Sequence, residues 1–279
     1  MDHTAKTTVG SHSQIDSDRV QIKSRAAMPW EQTWTRYDQW TDFISYLNGN
    51  GGVANGYLTS FANATSETST NDGSGNSGGE VALAGAVSYL DVVTKREAIV
   101  EEGAVINVTG SNWTESANEF GFDDFDTERP YDIDNPLKWS DNGVSRKAFD
   151  LVAEQEAGSV NVAGNISILL DGTAAGADGK SLGAGYNHTV YDTKAIAKIH
   201  SDAVISSPNG VRVSAGSVDQ IININPSAGR GSGMGFNGVM GYTGLVNVTL
   251  ALVDESVRFV VVTVDLIIDA AEVLIWINA

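Results

Sequence analysis

Cysteine is absent from this chain of 279 residues. A chain without cysteine cannot form a disulfide framework, a zinc–thiolate site or a cysteine nucleophile. Its absence does not fix the cellular compartment, but it agrees with proteins that cross a membrane unfolded. The sequence therefore has to build its stability and its chemistry from other residue types.

Positive charge is scarce: 17 Lys and Arg stand against 35 Asp and Glu, which gives a formal net charge of −18 at pH 7. The electrostatic field of so negative a protein repels nucleic acid and anionic lipid and attracts divalent cations. We therefore expect no nucleic-acid partner and no phosphate-binding role.

Long apolar runs that would act as targeting or spanning segments are also lacking. Met1–Lys6 has none of the apolar core of a signal peptide. The stretch Phe259–Ile277 is apolar, but Asp265, Asp269 and Glu272 interrupt it and its residues alternate as in strands. We expect no insertion into a membrane.

A short pattern repeats along the chain: a β-branched residue, usually a small residue four positions later, and an isoleucine two positions after that. Its copies are Val9–Ser13–Ile15, Val100–Ala104–Ile106, Ile199–Ala203–Ile205 and Val262–Leu266–Ile268, the last with leucine in the small position. Repetition of short strands separated by turns is typical of a solenoid. The isoleucines are therefore expected to point inward.

Each later copy follows a further strand pattern that opens with glycine and ends in polar residues. The strand patterns are Gly85–Val93, Gly185–Tyr191 and Gly244–Val253, and the polar segments, predicted as turns, are Thr94–Arg96, Asp192–Lys194 and Asp254–Ser256. The predicted unit is strand, turn, strand, turn, strand, or about two rounds of a solenoid. The first copy lacks a leading strand and the last has no polar cap, so we expect a segment of a longer chain.

Two insertions separate the copies. Residues 27–48 show helical apolar spacing that involves Trp30, Trp34 and Tyr37, which predicts a helix packed on the solenoid, with a glycan platform as the alternative. Residues 111–157 form an acidic, aromatic insertion with a short helix predicted over Arg146–Ala157.

The second insertion holds the richest carboxylate cluster of the chain. Its members are Asp123, Asp124, Asp126, Asp132 and Asp134, with Asp141 further along the chain. Oxygen-rich loops suit calcium, although this spacing fits neither an EF-hand nor a glycine-rich calcium repeat. These aspartates are candidate calcium ligands, and a solvated acidic loop is the alternative. Paired carboxylates could also serve glycoside hydrolysis, but spacing alone does not place two of them across a sugar.

The repeats themselves resemble a known family. The segments Thr193–Ile199, Ala203–Ser207 and Val211–Ala215, together with Gly85–Val93 leading into Ala98–Ala104, are similar to the repeats of filamentous-haemagglutinin-like adhesins, especially the leukotoxin-type filamentous adhesins. The resemblance implies a right-handed parallel β-helix that is exported to the bacterial surface. It brings no catalytic residues.

The sequence thus predicts an all-β fold, a single β-helix over residues 1–279 with a helical insertion and long loops. The predicted function is that of a structural and adhesive segment of a cell-surface or secreted filamentous adhesin, not an enzyme. Expected partners are a protein or glycan on a host or neighbouring cell, together with end-to-end self-association. The alternatives are a polysaccharide lyase or hydrolase and a self-assembling extracellular filament subunit.

Overall fold

A computed structural model describes residues 2–27, 59–63, 81–115, 144–164, 180–225, 235–260 and 265–278. Within these ranges the chain is all β, with no helix. The strands are β1 Asp2–Val9, β2 Gln14–Ser17, β3 Val20–Ala27, β4 Thr59–Asn63, β5 Val81–Val100, β6 Val105–Val108, β7 Trp113–Glu115, β8 Val144–Arg146, β9 Phe149–Gly164, β10 Lys180–Ile199, β11 Val204–Ser206, β12 Val211–Ile224, β13 Gly235–Val253, β14 Arg258–Val260 and β15 Leu266–Asn278.

Three parallel sheets carry almost all of these strands. Sheet A has the order β1-β5-β10-β13, sheet B the order β2-β6-β11-β14, and sheet C the order β3-β9-β12-β15, with β4 also paired to β9. The chain passes from A to B to C and then starts again, and we call each such passage a round. Four rounds follow one another, and neighbouring rounds are hydrogen-bonded in all three sheets.

The first three predicted copies of the repeat coincide with this pairing, but the predicted position of the fourth is wrong. Ile15, Ile106 and Ile205 lie in register in sheet B, but their partner in the fourth round is Phe259. The true fourth copy is therefore Val253, Val257 and Phe259, nine residues upstream of Val262–Leu266–Ile268. The predicted position is wrong because phenylalanine replaces isoleucine in this copy, and because the turn Asp254–Ser256 lies inside the copy and not before it.

Two of the predicted polar turns are also wrong. Thr94–Arg96 and Asp192–Lys194 lie within the continuous strands β5 and β10, which pair over their whole length. Thr94, Arg96 and Thr193 are buried between sheets A and C, in a part of the interior that is lined by polar residues. Polar residues at these positions therefore do not mark turns. One unit therefore makes one round and not two. The first round has a leading strand after all, the shorter β1.

Apolar side chains from every round fill the space between the three sheets. Val100 and Ile199 of sheet A, Ile106 and Ile205 of sheet B, and Val213 of sheet C are fully buried members of one core cluster. Because the pairing is in register, like residues stack directly on one another along the axis. Each layer of the second and third rounds is therefore covered by the round above and the round below.

The turn between sheets A and B repeats with the same backbone conformation. In each round one residue of this turn has a positive φ: His12 at 56°, Gly103 at 67°, Asp202 at 58° and Ser256 at 63°. Left-handed backbone is rare for residues other than glycine. The turn is maintained by backbone hydrogen bonds between rounds, such as His12 N–H to Glu102 O at 3.1 Å and Gly103 N–H to Ser201 O at 3.2 Å.

Candidate functional site

The first insertion leaves sheet C and returns to it without disturbing the neighbouring round. Strand β3 ends with Ala27 opposite Glu156, and β4 begins with Thr59 opposite Val160 on the same strand β9. Residues 28–58 thus start and finish four positions apart along one strand, a distance of about 13 Å. The helix predicted over 27–48 lies outside the described residues, except that Ala27 belongs to β3.

The second insertion stands on a two-stranded stem at the corner between sheets B and C. Strands β7 and β8 are antiparallel, with Trp113 opposite Arg146 and Glu115 opposite Val144. Residues 116–143 lie outside the described residues. The candidate calcium ligands Asp123, Asp124, Asp126, Asp132 and Asp134 all belong to that segment. The predicted boundary 111–157 is wrong at its end, because Phe149–Gly164 is strand β9 of sheet C and not a short helix.

The base of the stem is tied to three rounds. Gly110 N–H donates to Asp18 O at 2.7 Å, and Asn209 Nδ2 of the third round donates to Gly110 O at 2.7 Å. A Cβ at Gly110 would lie 2.2 Å from Asp18 O, so this close backbone approach requires glycine. On the other side of the stem, Asn112 Oδ1 accepts a hydrogen bond from Ala148 N–H at 3.1 Å.

A group of charges around two buried carboxyl groups lies beside the stem on the outward face of sheet C, and all four rounds contribute to it. We call it the Glu154 cluster; its members are Lys23, Arg25, Arg146, Asp150, Glu154, Arg212 and Asp269.

Glu154 is the centre of the cluster. Its carboxylate lies 3.1 Å from Arg146 Nη2, 3.4 Å from Lys23 Nζ and 3.8 Å from Arg25 Nε. Asp150 lies 3.5 Å from Arg146 Nε, and Arg212 Nη2 lies 3.2 Å from Asp269 Oδ2. The cluster thus joins the stem residue Arg146 to strands of the sheet.

The two central carboxyl groups respond to this environment in opposite ways. Burial raises the pKa of Asp150 to about 6, and the positive charges of Arg146 and Arg212 only partly oppose that rise. Burial alone would raise the pKa of Glu154 as well. There, however, Lys23, Arg146 and Arg25 together outweigh it and lower the pKa to about 2. Glu154 is therefore the permanent counter-ion of the cluster.

A carboxyl pair with such different pKa values is reminiscent of an acid–base pair, but its burial argues against that role. Glycoside hydrolysis needs two carboxyl groups that face a sugar from opposite sides. Asp150 and Glu154 are both shut off from solvent, and both side chains already face cations of the protein. This arrangement can anchor the stem, but it has no access to a polysaccharide.

A second polar group fills the space between sheets A and C, around the buried carboxylate of Asp219. Its Oδ2 accepts hydrogen bonds from Asn247 Nδ2 at 2.6 Å, Ser217 Oγ at 3.0 Å and Thr193 Oγ1 at 3.1 Å. Its Oδ1 has a longer contact of 3.5 Å with Gln155 Nε2. Burial raises the pKa of Asp219 to about 6, and these hydrogen bonds oppose the rise only in part.

Replacement of Asp219 by asparagine should remove a pH dependence of stability. Because the folded-state pKa of Asp219 is raised, its stabilising contribution is complete below about pH 4 and is lost as the pH rises through about 6. The loss corresponds to about 3 kcal/mol for a shift of about two pKa units. Urea unfolding measures the free energy of unfolding of both proteins at pH 4 and pH 7. Between these two values of pH, the parent should lose up to that amount relative to the Asp219→Asn protein. Asp150 is present in both proteins, so its contribution to the pH dependence cancels in the difference between them. Free energies of unfolding that change equally with pH in the two proteins would contradict the prediction.

Neither polar group is predictable from the sequence. The members of the Glu154 cluster are far apart in the chain, and single charged residues in strands give no signal of burial. Among the described residues no group of three or more His, Cys, Asp or Glu side chains is arranged to hold a metal ion. None of the described residues belongs to a helix of the length and apolarity needed to cross a membrane.

Comparison of the chain with protein-family models, with curated proteins and with solved structures gives no match.

Proposed function

We propose that the chain is a right-handed parallel β-helix that serves as a structural and adhesive segment of a filamentous adhesin, at the bacterial cell surface or secreted from it. Support for the β-helix comes from the order of strands, since each round adds one strand to each of three sheets in an unchanging sequence. Parallel strands joined by crossovers are right-handed in almost all proteins.

One observation carries the adhesive role: the insertions leave and rejoin the sheets while the neighbouring rounds stay paired. Strands β3 and β4 lie in line along β9 on either side of residues 28–58, and residues 116–143 join the two strands of the stem β7–β8. Loops on a rigid scaffold are where binding residues concentrate in proteins. In this proposal the three sheets form the rigid scaffold that carries the insertions, and the insertions contact a protein or glycan of another cell.

Removal of each insertion tests this function. In one variant a flexible linker of about six residues replaces residues 28–58, which is enough to span about 13 Å. In the other, a short glycine-containing turn joins Glu115 to Val144 across the stem. Both variants should keep the circular dichroism spectrum of β structure, because no sheet pairing is removed.

The readout is the attachment of beads coated with the full chain, or with either variant, to cultured animal cells and to bacterial cells. We expect the full chain to attach and at least one variant to lose attachment by about tenfold. Equal attachment of all three proteins, or no attachment of the full chain to either cell type, would overturn the proposal.

A further inference from the structure

Three aromatic side chains form a stack on the outward face of sheet A. Tyr89, His188 and Tyr242 occupy the same register in the second, third and fourth rounds. The centroid of the His188 ring lies 4.7 Å from that of Tyr89 and 4.8 Å from that of Tyr242, with interplanar angles of 2° and 17°. These distances equal the spacing of neighbouring strands. We call the three rings the aromatic ladder.

The outer faces of the ladder are open to solvent. Tyr89 is 64 % exposed and Tyr242 is 52 % exposed, although each has one ring face against His188. Exposure of this extent requires that the opposite face of each ring is uncovered. The ladder therefore presents two free tyrosine faces that are separated by two strand spacings, or about 10 Å.

Neighbouring residues hold the rings in place. Tyr186 Oη lies 3.1 Å from His188 Nδ1, which fixes the orientation of the imidazole. A Cβ at Gly244 would lie 3.3 Å from Tyr242 Oη, so the tyrosine ring occupies the space that a side chain at this position would need. Rings that are ordered before binding lose little conformational entropy when a ligand arrives.

The row of the sheet on one side of the ladder is Asp91, Val190 and Gly244, where the only charge is the negative one of Asp91, and the two rows on the other side are uncharged. The nearer row is Val87, Tyr186 and Met240, of which the first and last are highly exposed, and the next is Gly85, Ala184 and Gly238. The chain as a whole has a net charge of −18, which repels anionic ligands. Both the net charge and Asp91 disfavour an anionic partner, and an uncharged molecule that combines an apolar face with polar groups fits this surface.

We propose that the aromatic ladder binds an uncharged glycan, with sugar rings stacked on the open faces of Tyr89 and Tyr242. A pyranose ring offers C–H groups to an aromatic face and hydroxyl groups at its edge, and tyrosine pairs an apolar ring with a polar tip. The phenol groups of the ladder supply hydrogen bonds at its rim. This site lies on the sheets and not on the insertions, so it adds to the proposed function and does not depend on it.

An array of uncharged oligosaccharides, printed beside their sialylated and sulfated counterparts, tests the proposal with the full chain. We expect retention on uncharged glycans and weaker retention on the anionic counterparts. The best uncharged oligosaccharide is then titrated by calorimetry against the parent and the Tyr89→Ala, Tyr242→Ala and Val246→Ala proteins. Val246 is the matched control, because it is exposed on the same sheet face and lies outside the ladder.

The two tyrosine variants should each bind at least tenfold more weakly, whereas the Val246→Ala protein should bind like the parent. Retention of anionic glycans alone, no retention, or equal affinity of all four proteins would overturn the proposal. A dimer of the parent chain that Tyr242→Ala dissociates in size-exclusion chromatography would assign the ladder to a second copy and would also overturn it. Because the glycan is titrated against the full chain with both insertions present, a failure of the cell-attachment experiment leaves this test unaffected.

Discussion

Replacement of Glu154 by glutamine is expected to lower the free energy of unfolding by about 3–5 kcal/mol. The side chain keeps its size, but Lys23, Arg25 and Arg146 lose the carboxylate that faces them. A buried charge without its counter-ion costs far more than an exposed one. The low pKa of Glu154, about 2, means that the parent carries this charge throughout the neutral range. Urea unfolding at pH 7 measures the difference.

The matched control is Glu97→Gln, which removes the partner of Lys95 on the more exposed outward face of sheet A. The Lys95 side chain is 39 % exposed and that of Glu97 is 14 % exposed, so solvent screens this pair far more than it screens the Glu154 cluster. Screened ion pairs contribute about 0–1 kcal/mol, so this protein should unfold almost like the parent. If Glu154→Gln loses no more stability than Glu97→Gln, the cluster does not anchor the stem as its geometry indicates.

Replacement of Ile205 by alanine should cost about 2–5 kcal/mol, because it leaves a cavity inside the stack of sheet B residues. Ile205 is fully buried between Ile106 on one side and Phe259 on the other, in a sheet whose strands are only three or four residues long. Such short strands cannot shift to fill the space without breaking register in the longer sheets. Thermal and urea unfolding measure the loss.

Two further proteins show whether the position within the stack determines that loss. Ile15→Ala changes the same residue type in the first round, where it is only partly buried, and should cost less. Leu252→Ala removes the same number of carbon atoms from an exposed outward position and should cost under about 1 kcal/mol. Equal losses for all three would contradict the layered core.

The repeat in the sequence predicted the short strands well, because their inward positions are apolar and regularly spaced. Ile15, Ile106 and Ile205 are in register as expected. The long strands were harder to predict, since the interior between sheets A and C is lined with polar residues such as Thr94 and Thr193. A buried threonine in a strand and an exposed threonine in a turn look alike in a single sequence.

The sequence also does not show which face of a strand points toward the core. Val246, Leu250 and Leu252 alternate as in an amphipathic strand, yet they are exposed, and Ala251 and Val253 pack against the core. Apolar alternation predicts the strand, but only the neighbouring rounds determine which face is inward.

The aromatic ladder can be recognised in the sequence once the fourth copy of the repeat is placed at Val253 instead of Val262. Tyr89, His188 and Tyr242 each lie eleven residues before the last residue of their strand, namely Val100, Ile199 and Val253. With the fourth copy aligned on Val253, the three rings fall into one column. The Glu154 cluster has no such signal, because its residues come from different positions in each round.

The length of the strands in sheet A has a mechanical consequence. Strands β5 and β10 pair over twenty residues and are about 65 Å long, whereas each round advances the axis by about 4.8 Å. The hydrogen bonds between rounds run along that axis. A pull along the axis therefore loads the whole row of bonds at one joint simultaneously, and resistance to rupture grows with strand length and not with the number of rounds.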